Sequence, residues 1–465
     1  MRLLPSLCAA VLLCVPGLAL GLTDQDDSAS LTDPSPPAAT APASRPIAEP
    51  ARPGGASLPA VGENVEAIKT YARGDYEQAA AMLEKAYRAN RTGIQDRLIL
   101  ARAYVHLKKP DQALEILKNV LDTDKENPDA NSLSGQILLA AGKNEDALKY
   151  LEHAWRLKPD PVTASALGRC NYALGNIPKA KTYLTAALGQ DIRDPSNSFL
   201  LGRIHLQRGS GALAEKYLLM AQEAGMESVE LHLLLGQAYL LEAKPLGPVM
   251  VRTLAGSPKE GDVVDNCVVI GRLSDKAAAD QYKVSTRFCA LYEGYQLLKA
   301  DKQHADGLCM VASGWFAAGN YELALEHLKL LMAKEPRSKR ACELQARLLV
   351  ATRDFDGLAK ALAAGQAAKV FDSRAAADFL CRAAAVLRAE GKRGEAIALL
   401  KKAEQEQPTA ETVLRQLAAL YQATGDDKYA LAYYSRIVEL FPDATDIDEL
   451  RNAMKVLQEK AGVKP

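Results

Sequence analysis

Glycine returns in this chain at a nearly fixed interval. Gly135, Gly168, Gly202 and Gly236 stand 33, 34 and 34 residues apart, and each is followed by Gln or Arg. Seven residues after three of them comes a second glycine: Gly142, Gly175 and Gly209. An alanine follows the first glycine by twelve residues (Ala147, Ala180, Ala214), and a leucine comes four later (Leu151, Leu184, Leu218). Pro159 closes the first of these units. A period of this length restricts the chain to one kind of architecture. Each unit is a single supersecondary element too thin to bury its own apolar side, so it must stack on its neighbours.

The spacing also identifies the element. Small residues at the first Gly and at the Ala let two antiparallel helices approach closely. The second Gly is free to take the left-handed conformation that ends a helix. The Leu, at helical spacing from apolar neighbours, faces the partner helix, and the Pro stops the second helix. With the first glycine of each unit numbered position 8, the register runs on in both directions. Ala67 is followed by Gly74, Ala79 and Leu83, and Ala101 by Tyr104, Ala113 and Leu117. Ala312 leads to Gly319, Ala324, Leu328 and Pro336; Ala384 leads to Gly391, Ala396, Leu400 and Pro408; Ala418 leads to Gly425, Ala430, Tyr434 and Pro442. Around Ala346 the pattern decays, with Arg353 in the glycine place and Leu358 in the alanine place.

This pattern resembles the tetratricopeptide repeat, over about ten units between residues 60 and 444. The resemblance implies an all-α fold, a right-handed α-solenoid of helix–turn–helix repeats. N-terminal repeats would occupy 60–243 and C-terminal repeats 288–444. Residues 445–465 read as a capping helix and tail, with Leu450, Met454 and Leu457 on one face.

The register breaks once. Gly236 to Ala312 is 76 residues, one 34-residue unit plus 42. The extra residues have a different character: β-branched runs at 249–254 and 263–270, a turn at 257–262, and a third strand near 281–286. A small β-rich insertion over 244–287, inside repeat six, is expected to lie against the array, because three short strands alone are marginal. Six cysteines follow residue 21 and none forms a C-x-x-C pair. Cys267 and Cys289 are the candidate disulfide, tying the insertion to the second helix. The alternative is that all six are small buried hydrophobes.

The chain begins with an address rather than with structure. Met1-Arg2, an apolar run from Leu3 to Leu20 and small residues around Gly21 make 1–21 a secretory signal peptide. An uncleaved N-terminal anchor is the alternative. Cys8 and Cys14 lack the small residue a lipoprotein signal places before its cysteine. Residues 22–59, rich in Pro, Ala and Ser, form a disordered linker. The protein is therefore expected in the periplasm or cell envelope, or secreted, with no stable membrane span after signal cleavage. Its 57 basic and 57 acidic side chains leave no net charge, which argues against binding nucleic acid by phosphate neutralisation.

In the family that the sequence resembles, the first helices of successive repeats line a concave groove. Position 9, one of its groove positions, reads Arg102, Gln136, Arg169, Arg203, Gln237, Ser313 and Arg347. Tyr172 and Phe199 lie nearby among apolar positions. Such a ladder suits a protein or peptide partner, extended or helical and partly acidic. Arginine forks match carboxylates, amides match backbone, and apolar pockets add affinity. An anionic polysaccharide is chemically compatible as well. Equally, these side chains could bond across neighbouring repeats or simply solvate an exposed face. The clamp on a free chain terminus in the best-known family grooves wants Lys or Asn at positions 5 and 6, and here those positions are mostly apolar. No H-E-x-x-H, G-x-S-x-G or P-loop occurs, and the six histidines show no metal-ligand spacing. The reading is a non-enzymatic scaffold with no catalytic residue, metal or cofactor. It would serve assembly or secretion in the envelope, with export of polysaccharide as the alternative and an enzyme sited at the insertion as the least favoured one.

Overall fold

The computed structural model describes residues 61–189, 194–273 and 280–461. The signal peptide and linker expected over 1–59 lie outside the described residues. The described residues form one compact unit. Its helices run in antiparallel pairs, one pair per repeat. Repeats one to three are α1 (Val61–Ala72) with α2 (Tyr76–Arg88), α3 (Ile94–His106) with α4 (Pro110–Thr123), and α5 (Pro128–Ala140) with α6 (Asn144–Leu157). Repeats four and five are α7 (Pro161–Ala173) with α8 (Ile177–Leu188) and α9 (Pro195–Gln207) with α10 (Gly211–Glu223). In repeat six, α11 (Val229–Leu241) is followed by four strands, β1 (Val249–Thr253), β2 (Val263–Val264), β3 (Cys267–Arg272) and β4 (Gln281–Thr286), and then by α12 (Ala290–Ala300). Repeats seven and eight are α13 (Ala305–Ala318) with α14 (Tyr321–Lys334) and α15 (Lys339–Ala351) with α16 (Phe355–Ala367). Repeats nine and ten are α17 (Ser373–Ala389) with α18 (Arg393–Glu406) and α19 (Glu411–Thr424) with α20 (Asp427–Leu440). The helix α21 (Ile447–Ala461) buries Leu450 and Leu457 against the last core, as a cap should.

Two local constraints build each hairpin. At position 8 the helices nearly touch. A Cβ on Gly135 would lie 2.5 Å from the Leu151 side chain, one on Gly168 2.6 Å from Leu184, and one on Gly202 2.6 Å from Leu218. The periodic leucine therefore occupies the space that glycine leaves. Seven residues on, the chain leaves the first helix through a left-handed residue in every repeat. Gly74, Gly142, Gly175, Gly209, Gly319, Gly391 and Gly425 have φ between 73° and 89°. In repeats two, six and eight Lys108, Ala243 and Arg353 hold the same conformation at 57°, 54° and 62°. The turn geometry thus persists where glycine is lost, at the steric cost a side chain brings to that region.

Repeat six departs from the rule at both ends of the contact. Its position 8 is Gly236, but the leucine place four residues after Ala290 is taken by Gly294. The gap is filled from the next repeat: a Cβ on Gly236 would lie 2.3 Å from Met310 Sδ, and one on Gly294 would lie 2.9 Å from Met310 Cβ. Met310 itself is 1% exposed.

The insertion is an antiparallel sheet in the order β1–β4–β3–β2. The 263–270 run is not one strand. Asp265 and Asn266 both take positive φ, 48° and 58°, and form a two-residue hairpin turn between β2 and β3. Along β3 the side chains alternate. Cys267 and Val269 join Leu254, Tyr282 and Val284 in a small core on one face. Val268, with Ile270, packs on the other face into the array core beside Leu291 and Trp315. Tyr292 Oη donates to Asn266 Oδ1 (3.3 Å) and Asn320 Nδ2 to Glu260 Oε2 (3.0 Å), so the sheet rests on repeats six and seven.

That alternation also corrects the candidate disulfide: Cys267 and Cys289 are both free and buried. Cys289 is on the array side, its Sγ 3.1 Å from the Thr286 carbonyl and 3.3 Å from Ser285 Oγ, whereas Cys267 belongs to the opposite core. The remaining cysteines downstream are likewise buried and free, the small-hydrophobe alternative.

Two substitutions test these constraints. Gly168→Ala forces Leu184 out of its place and is expected to lower stability by roughly 1–3 kcal/mol. Ala243→Gly relieves a left-handed alanine and is expected to raise it by about 1 kcal/mol. Urea denaturation followed by far-UV circular dichroism reads both.

Candidate functional site

The first helices of neighbouring repeats touch one another in an unbroken series from α1 to α17, and no two successive second helices touch to a comparable extent. The first helices therefore form the inside of the curve, and position 9 lies along it. The ladder residues do not all stand alike there. Arg102, Arg169 and Arg347 are exposed, with no hydrogen bond or ion pair among the described residues. Arg203 is half-buried, and its Nη1 lies 3.0 Å from Glu230 Oε1 at the start of the next first helix. That side chain joins repeats five and six, the cross-repeat alternative. Gln136 is half-buried and donates from Nε2 to Ser132 Oγ (3.1 Å). Gln237 is half-buried on α11.

Of the aromatics, Tyr172 is half-buried against the core of repeats four and five. Phe199 is 9% exposed and belongs to the core shared by repeats five and six. The expectation that it faces the groove is corrected: at position 5 a large ring turns inward between helices, where burial outweighs exposure.

The structure brings Gln136 and Arg169 together. Both line one hollow of about 470 Å³ between repeats two and four, with Lys108 as a third donor and Val105, Leu133 and Ile137 as apolar wall. A larger hollow of about 560 Å³ is lined chiefly by one stripe of α6, including Lys149, Tyr150 and His153, and contains no ladder residue. At the N-terminal end, Tyr71, Tyr76 and His106 gather beside Arg102. Tyr76 and His106 stack 4.0 Å apart and Tyr71 lies 5.3 Å from Tyr76. Burial raises the Tyr71 hydroxyl pKa and the Arg102 charge lowers it, so Arg102 stands close to this cluster.

Two polar features went unread in the sequence. One is a buried seam under the groove: Ser132 Oγ meets Thr163 Oγ1 at 2.7 Å, and Ser165 Oγ donates to Asn197 Oδ1 at 2.8 Å. It stitches α5, α7 and α9. Its only sequence signal is small polar residues recurring just before position 8. The other is at the broken register. His232 Nδ1 lies 2.6 Å from Glu293 Oε2, and Nε2 lies 2.9 Å from Glu227 Oε1. Glu293 is 2% exposed. Sixty-one residues separate this pair in sequence, so no local spacing reveals it. Burial disfavours charge on the imidazole, but the two carboxylates outweigh it and raise the His232 pKa. Burial raises that of Glu293 against the opposing pull of His232.

No group of three or more His, Cys, Asp or Glu able to hold a metal occurs among the described residues. Nor is any of the described helices long and apolar enough to cross a membrane.

Stacked helical hairpins, curved with the first helices inside, define an α-solenoid scaffold. The tetratricopeptide repeat sequence profile matches residues 70–137, 138–197 and 387–454. Three stretches of the chain thus carry tetratricopeptide repeats, a family whose members serve as protein-interaction scaffolds and are typically non-catalytic. Among solved structures the chain is similar to PilW, described as a widely conserved type IV pilus biogenesis factor. That likeness has 20% identity and a TM-score of 0.35, covering 39% of this chain and 84% of the other. The pilF protein of Pseudomonas aeruginosa gives 17% identity, a TM-score of 0.39 and coverage of 53% and 93%. MamA of Desulfovibrio magneticus RS-1 gives 19%, 0.32, and 36% and 97%. No curated protein matches the chain.

The His232 site has a definite pH sign. A histidine whose folded pKa is raised contributes stability that is complete below its unfolded value, about 6.5, and is lost as pH rises through the folded pKa. The raised Glu293 acts in the same direction, since its burial penalty grows once the carboxyl ionises. Protection factors at α11 and α12, taken relative to the base-catalysed exchange of unfolded peptide at each pH, are therefore expected to be higher at pH 6 than at pH 8.5, and His232→Gln is expected to flatten that difference. An unchanged pH dependence in the variant would assign it to other groups.

Proposed function

We propose that the protein is a non-enzymatic scaffold of the cell envelope that holds an extended or helical polypeptide in its first-helix groove and so assists assembly or secretion. The observation that carries this reading is the hollow between repeats two and four. Lys108, Gln136 and Arg169 converge there on an apolar wall. Partner carboxylates would meet the cations, backbone amides would meet Gln136, and aliphatic side chains would fill the wall. Arg102 and Arg347 extend the same exposed donor series in both directions. Export rests on the N-terminal leader pattern in the sequence.

An anionic polysaccharide is the second reading. It is favoured by the aromatic cluster of Tyr71, Tyr76 and His106 beside Arg102, because sugar rings lie on aromatic faces while arginine meets their carboxylates.

The test uses a partner recovered from the native envelope by co-purification with the full chain. Arg102→Ala combined with Arg169→Ala removes two side chains that the fold does not use. It is expected to weaken capture at least tenfold with unchanged thermal stability. Arg203→Ala is expected instead to loosen the junction of repeats five and six by about 0.2–1 kcal/mol, the range for an exposed ion pair. Undiminished capture by the double variant sinks the groove reading, and capture of glycan but not protein selects the second one.

A further inference from the structure

β1 is the outer strand of the insertion's sheet, and no strand among the described residues pairs with its free side. All five of its residues are exposed, with Val249 at 49%, Met250 at 39% and Val251 at 53%. Proteins usually guard such an edge with lysine, proline, a bulge or a covering element, because an open apolar strand is a template for another. Within Val249–Thr253 there is no lysine, proline or bulge, and Pro248 lies just ahead of the strand. Its pairing with β4 is regular from Val249 opposite Ser285 to Thr253 opposite Gln281, and its one charge is Arg252.

The ladder shows which backbone groups are free. Thr286 N–H donates to the Pro248 carbonyl (3.4 Å), and Leu254 N–H donates to the Asp280 carbonyl (3.0 Å). In an antiparallel pair the bonding residues alternate. Even-numbered residues of β1 therefore bond β4, and Val249, Val251 and Thr253 send N–H and C=O outward. Val249 and Val251 share one face of the sheet, and Arg252 lies on the other. Lys283, one strand inward and directly opposite Val251, lies on the valine face, so among β1 and β4 the positive charge of the other face rests on Arg252; neither cation has an ion pair among the described residues.

We propose that β1 is a second docking site, separate from the groove, which receives an extended peptide strand from a partner protein by addition to the sheet edge. The peptide carries aliphatic residues toward Val249 and Val251 and acidic residues toward Arg252. A second copy of this chain fits the edge poorly. A lasting interface engages about 20–30 residues a side, and β1 offers five. A short peptide gains its affinity from main-chain bonds and alternate side chains, the mode that suits an edge of this length.

The probe is a fluorescein-labelled peptide, Thr-Val-Glu-Val-Glu-Val-Thr, titrated with the full chain and read by anisotropy. Saturable binding is expected. Val251→Pro deletes an outward N–H without touching the β1–β4 bonds and is expected to weaken binding tenfold or more. Arg252→Glu is expected to do the same, while Arg102→Ala with Arg169→Ala leaves it unchanged, so this site and the groove stand or fall separately. Should a β1 variant misfold, N-methylation of alternate peptide amides tests the same bonds with the native protein and is expected to abolish binding. The proposal is overturned if the native chain does not bind. It is overturned equally if a folded Val251→Pro variant or the methylated peptide binds as well as the original. Sedimentation showing a native dimer that Val251→Pro dissociates would give the edge to a second copy instead.

Discussion

The close approach of paired helices at position 8 is the contact from which the rest follows. Gly135, Gly168 and Gly202 leave room, and Leu151, Leu184 and Leu218 fill it. Because the gap is closed within one hairpin, each unit has a fixed thickness and presents the same apolar flank to the next. Neighbouring first helices then meet, second helices spread, and a groove results without any residue being selected for curvature as such. The left-handed exit at Gly142 and its equivalents sets the angle at which the chain turns back.

The groove inherits this geometry, but its chemistry is divided. Exposed arginines at 102, 169 and 347 are available, while Arg203 is engaged with Glu230. Beneath them a buried polar seam joins α5, α7 and α9. A buried hydroxyl is costly unless bonded, so these pairs fix the register between repeats more strictly than apolar packing would. The groove floor is thereby held in place under side chains that remain free to move.

Much of the fold was legible because its causes are local. A glycine before a fixed interval, an alanine and a leucine at helical spacing, and one loss of phase between Gly236 and Ala312 sufficed to place ten hairpins and the insertion. What escaped was decided at a distance or by sidedness. The Asp265–Asn266 turn hid within a β-branched run because both residues tolerate positive φ. The alternation of β3 turned Cys267 into the sheet's own small core, while Cys289, beyond the end of β4 at the start of α12, joined the array core instead. Phe199 occupied a groove position by count, but its size drew it into the core. The His232–Glu293 pair joined helices that the insertion had separated, so nothing in either helix alone announced it.

The replacement of leucine by Gly294, with Met310 filling the vacancy from the following hairpin, changes how interchangeable the units are. Repeats three to five each close their own gap and behave as bricks that duplication or exchange could shuffle without leaving a void. Repeats six and seven share one key and one lock, and the sheet leans across both. Gene rearrangement that parted them would expose an empty socket on one side and a stranded methionine on the other. This joint therefore binds the two arms of the array into a pair that is inherited together.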